Sequence, residues 1–121
     1  MIWQDVYTTL HGYSGVVNLV ATRIYPSIVN QDPTYPCISH KRSNENPIVT
    51  LDGAGDQLNP IWQIDAWDTT YSGAATLMEQ IRAAMDASIL FKAVLVNVID
   101  LYEPDVNIHR VMAEFSLWAK V

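Results

Sequence analysis

The sequence predicts an α+β domain: a mostly antiparallel sheet of four to five strands, with one long helix and two short N-terminal helices packed on one face. Three observations lead there. Residues 62–85, "WQIDAWDTTYSGAATLMEQIRAAM", change hydrophobic period: apolar residues alternate before Thr69 and recur every three or four after Thr70. Two strand-like runs, 93–102 and 108–121, are joined by the turn Glu103-Pro104-Asp105, so they lie antiparallel. Half of the 121 residues are hydrophobic and only 17% are charged, which fits one domain, taken as 1–121, with its own core.

The elements follow in order. In "WQDVYTTL", residues 3–10, Trp3, Val6, Tyr7 and Leu10 share one helical face, and Gly12 ends the helix. Ser14 is a candidate cap for a second short helix carrying Val16, Val17 and Val20. "RIY" reads as a brief strand stopped by Pro26. Residues 27–35 form a loop, since the residues before Pro33 and Pro36 are biased away from helix. "CISHKRS", 37–43, alternates, with Cys37, Ser39 and Lys41 opposite Ile38, His40 and Arg42. Residues 44–58 hold Asn, Pro, Asp and two glycines and read as a long loop, of the kind that carries function. In "PIWQIDAWD", 60–68, Trp62, Ile64 and Ala66 take the core face; Ile61, Gln63, Asp65 and Trp67 take the other. Thr69 or Thr70 caps the long helix, which runs to about Ala87. Ala74, Leu77, Met78, Ile81, Ala84 and Met85 make its buried stripe. "AVLVNVIDLY" is a strand rich in β-branched residues. In the last strand Val111, Ala113, Phe115, Leu117, Ala119 and Val121 face the core.

Seven basic and thirteen acidic residues give a net charge of −6, with only Lys41-Arg42 adjacent. A nucleic-acid binder needs a basic patch, and none is present. An acidic surface suits a protein that lets DNA pass without holding it. The single cysteine, Cys37, forms no internal disulfide and reads as a small buried hydrophobe. No run reaches 18 apolar residues, and the N-terminus has no basic, apolar leader, so synthesis and retention in the cytoplasm are expected.

Chemistry is poorly represented. His11, His40 and His109 have no second ligand at metal-binding spacing. No phosphate-binding, nucleophile-elbow or zinc-protease motif occurs. Asp52 and Asp56 flank "GAG" but lack the closing glutamate of a calcium loop. Asp65 and Asp68 point to opposite faces and cannot pair, whereas Asp65 can reach Arg82 or Arg110. No cofactor is expected. Trp67 and Trp118 lie opposite the core stripes, where large aromatics mark an interface.

"IYP" at 24–26, Pro36, "LDG" at 51–53, "QIDAW" at 63–67, "TYSGA" at 70–74 and the final alternating strand with Trp118 occur in a specific order. In that order they resemble the tail-completion, or tail-terminator, proteins of long-tailed bacteriophages and prophages. The "GAGD" run at 53–56 departs from the family pattern by extension. The resemblance implies a structural virion protein with no catalytic residues. It implies a ring, typically of six subunits, that caps the finished tail tube, stops its polymerisation and presents a surface to the head connector. DNA passes through the lumen without specific binding, no membrane is involved, and assembly takes place in the host cytoplasm. Tyr25, Pro26, Pro36, Gln63, Asp65 and Tyr71 are then fold positions. Asn46, Pro47, Ile48, Val49, Leu51, Asp52, Gly53, Asp56, Trp67 and Trp118 are the expected contacts with other subunits or partners. The alternatives are a head-side neck component and, more distantly, a small metal-dependent hydrolase built on His40, His109 and nearby carboxylates.

Overall fold

A computed structural model of the chain describes residues 2–27, 33–46, 49–50, 53–54 and 57–120. Two helices, α1 (Ile2–His11) and α2 (Ser14–Val20), lead into strands β1 (Ile24–Pro26) and β2 (Cys37–Asn46). A small ladder, β3 (Val49–Thr50) and β4 (Gly53–Ala54), precedes β5 (Gln57–Asp68). Helix α3 (Tyr71–Ala87) and strands β6 (Lys92–Glu103) and β7 (Ile108–Lys120) complete the chain. The main sheet has the order β1-β2-β5-β7-β6, antiparallel except for the parallel β1–β2 pair. The three helices pack together, and α3 lies mainly over β5 and β7. The fold is α+β as expected.

The period switch is where sheet becomes helix. Trp62, Ile64 and Ala66 are buried on β5, and all six residues of the expected α3 stripe are buried against them. Thr70 has extended backbone, and its Oγ1 accepts a hydrogen bond from the Gly73 N–H at 3.1 Å, so Thr70 is the cap rather than Thr69. The β7 stripe Val111, Ala113, Phe115 and Leu117 closes the same core.

Three expectations are corrected. The buried face of α1 is Ile2, Val6 and Leu10, spaced by four, while Trp3 is 38% exposed. Ser14 is the first residue of α2, not its cap; Tyr13 holds that position without a side-chain cap. Residues 44–58 are not one loop. Strand β2 runs on to Asn46 and pairs with Asn59, β5 starts at Gln57, and β3–β4 lies between them. The β5–β7 register skips Asn59 and Pro60, which has no N–H, and there the Asn59 side chain donates to the Leu117 carbonyl at 2.9 Å and to Ser116 Oγ at 2.8 Å. The sheet face away from the helices is partly buried: Cys37, as expected, and also Ser39 and Asp65 lie on it and are buried.

Candidate assembly surface

Strand β6 is one outer edge of the sheet. Its sequence is β-branched and apolar because it shares a ladder with β7, yet only its start, at Ala93 and Leu95, packs against the core beneath α3. Val94, Val96, Val98, Ile99 and Tyr102 are 39–59% exposed. Val98 faces the helix side and Ile99 the opposite side, so both faces of the edge are uncovered. The register shifts between Leu95 and Asn97, where Val96 is the extra, bulged residue. Just before the strand, Ile89 is 97% exposed and Leu90 43% exposed. A row of exposed apolar residues with unpaired backbone groups is a surface that seeks a partner.

The far end of the edge is braced. The Tyr71 hydroxyl donates to Asp100 Oδ2 at 2.9 Å, tying the start of α3 to β6 and holding the phenol pKa above its usual range. The Tyr102 hydroxyl donates to Asn107 Oδ1 at 2.7 Å, and its ring lies 4.8 Å from that of His109.

Asp65 organises the middle of the helix-free face. Arg110 Nη1 lies 3.8 Å from its Oδ2, and Arg110 Nη2 lies 3.4 Å from Glu103. The Ser39 hydroxyl donates to the Asp65 carboxylate at 3.3 Å and Gln63 Nε2 donates at 3.1 Å. The Arg110 guanidinium also sits 4.9 Å from the Trp67 ring, whose indole N–H donates to Ser39 Oγ at 2.9 Å. Of the two arginines expected as partners, Arg110 is the one that pairs. Burial pushes the Asp65 carboxyl pKa upward; Gln63, Arg110, Ser39 and Lys41 pull it back. The arrangement satisfies and clamps a buried carboxylate across β2, β5 and β7, and leaves it no open side for a substrate.

The histidines are far from forming a site. His40 lies buried on the helix side, where its Nδ1 accepts from the Trp62 indole N–H at 3.1 Å, and burial lowers its pKa to about 4. His109 stands at the other end of the sheet beside Tyr71 and Tyr102. Among the described residues no three of His, Cys, Asp and Glu come together as metal ligands. Cys37 is fully buried, and its thiol pKa is pushed up to about 11, chiefly by burial.

The expected contact residues are scattered. Trp118 is 40% exposed at the far end of β7, and Trp67 is half-buried under Arg110. Asn46, Val49 and Gly53 belong to β2, β3 and β4. Pro47, Ile48, Leu51, Asp52 and Asp56 lie outside the described residues. Of the fold positions, Tyr25 pairs with Ser39 on β2, Pro26 pairs with His40, and the Pro36 carbonyl accepts from Arg23 Nε at 2.9 Å. The β6 edge was missed by sequence reasoning. A run such as "VLVNVI" reads equally as a buried strand, and only its place in the sheet makes it an edge.

Comparison with known proteins places these features. The family model of the tail completion protein gp17 matches residues 4–120. Among solved structures, a chain in the virion of a native gene transfer agent particle is similar with a TM-score of 0.74 and 16% identity. The match covers 96% of this chain and 92% of that one. No curated protein matches.

Proposed function

This chain belongs to the tail completion protein gp17 family and is a structural virion protein rather than an enzyme; from that premise we propose that it closes the head-proximal end of a phage tail tube as a ring of six subunits. The ring ends tube polymerisation and offers its other face to the head connector. It assembles in the bacterial cytoplasm, as one domain spanning residues 1–121.

The observation that carries the ring is the exposed apolar edge at β6, at the opposite side of the sheet from β1. A patch on one side of a subunit that meets a different patch on the next copy closes into a ring when the rotation per step divides the circle. Val94, Val96 and Ile99 supply the apolar core of such a contact. Trp118 and the connection from β2 to β5, including Asn46, Val49 and Gly53, are proposed as contacts to the tube or connector. The net charge of −6 suits a lumen that repels the DNA phosphates and keeps the DNA mobile.

The test is polymerisation of the tail-tube protein with and without this chain. Tubes of bounded length carrying the chain at one end only are expected. Unbounded tubes, or chain bound along their sides, would contradict the proposal. Binding to the connector alone, with no effect on tubes, would favour a head-side neck component.

A further inference from the structure

We infer that the β6 edge of one subunit adds, antiparallel, to the exposed outer edge of β2 in a second copy of this chain, joining neighbouring sheets around the assembly. This rests on the self-association proposed above and names its two halves.

Strand polarity permits it. β2 and β7 run one way, β5 and β6 the other. When the sheets of two copies are set side by side in the same orientation, β6 of one meets β2 of the next antiparallel, the pairing with straight hydrogen bonds. Length permits it as well. β1 pairs with β2 only from Ile38 to His40, and Ser27 adds one further bond to the His40 carbonyl. Beyond that point β2 continues to Asn46 with no outer neighbour among the described residues, and Lys41 through Glu45 are all exposed.

Chemistry favours it over two copies of β6 meeting each other. The C-terminal half of β6 carries Asp100 and Glu103, so a parallel β6–β6 contact sets acid beside acid, and an antiparallel one centred on the bulge sets bulged valine against bulged valine. The β2 edge carries Lys41-Arg42, the one adjacent cation pair in the chain. In an antiparallel joint the start of the exposed β2 stretch lies beside the end of β6, which brings those cations to Asp100 and Glu103. The bulges, at Val96 on β6 and at Ser43 on β2, limit the joint to a short stretch and discourage open-ended stacking of edges.

Disulfide trapping tests it. Val96→Cys is combined in turn with Asn46→Cys and with Glu45→Cys, the positions that face Val96 when Arg42 lies beside Asp100, so that a one-step shift in register is covered. The native thiol of Cys37 is buried and does not compete. Mild oxidation of the full chain should give covalent ladders for at least one double variant and monomers for each single variant. Val96→Lys should abolish the oligomer seen by native mass spectrometry with the circular dichroism spectrum unchanged. Covalent dimers from Val96→Cys alone would overturn the inference in favour of a β6–β6 contact. Rings that persist in Val96→Lys, with no ladder from either double variant, would also overturn it while leaving the ring intact. A monomeric unmodified chain, even with tail-tube protein present, would remove the ring and this joint together.

Discussion

Replacing Arg110 with methionine isolates the clamp around Asp65. Methionine keeps the aliphatic stem and removes the guanidinium. Removing one partner of a buried ion pair costs about 3–5 kcal/mol. Here the pair is 3.8 Å apart and the Arg110 side chain is 23% exposed, so the lower end applies. Asp65 also keeps the donors Ser39 and Gln63, which reduces the loss further. Stacking on Trp67 adds about 0.5–1 kcal/mol, and the Glu103 contact, with Glu103 41% exposed, adds little. The expected destabilisation at pH 7 is about 2–4 kcal/mol, a shift in urea midpoint of roughly 1–2 M for a slope near 2 kcal/mol/M. The pH dependence carries the diagnosis. The Asp65 pKa is already raised in the folded state, so its protonated form is favoured by folding; this stabilisation is complete below the unfolded value of about 3.9 and is lost as pH rises through the folded value. Without Arg110 the folded value rises further. The gap between Arg110→Met and wild type should therefore narrow on acidification from neutral pH. Asp65→Asn added to Arg110→Met should recover about half of the loss at pH 7. A gap that stays constant with pH, or a double variant no more stable than Arg110→Met, would refute the role assigned to the carboxylate.

Other outcomes follow from the same packing. Leu77→Ala, at a fully buried position of α3, should cost about 2–5 kcal/mol in urea unfolding. Thr70→Ala should cost about 1 kcal/mol by losing the bond from the Gly73 N–H, with Thr70→Ser retaining most of it. The His40 pKa is depressed to about 4, so its contribution is complete above the unfolded value of about 6.5 and is lost as pH falls towards 4; His40→Gln should remove that acid sensitivity, worth up to about 3 kcal/mol. Cys37 should stay unreactive towards a thiol reagent at pH 8 in the folded chain and react at once in denaturant.

Much of the fold is legible because local and tertiary signals agree. The α3 stripe, the Thr70 cap and the β7 alternation each point to one structure. The connection between β2 and β5 reads as loop because residues 44–58 hold Asn, Pro, Asp and two glycines, and Asn44 and Glu45 show no apolar face. An exposed ladder far from the core needs no alternation, so periodicity cannot report it. Trp3 misled through size alone: Ile2, one residue earlier, takes the core position. Asp65 was assigned to the correct face, but its burial depends on Ser39, Trp67 and Arg110, which meet it only once three strands are in register. The β6 edge was the least legible feature, because exposure of a valine-rich strand is decided by how far α3 extends across the sheet.

Native mass spectrometry of the purified 13.6 kDa chain, alone and with tail-tube protein, tests self-association through β6 most directly. A closed species of six wild-type chains, lost in Val96→Lys, is the expected result. Wild-type chain that stays monomeric under both conditions, or Val96→Lys that assembles as wild type does, would contradict it.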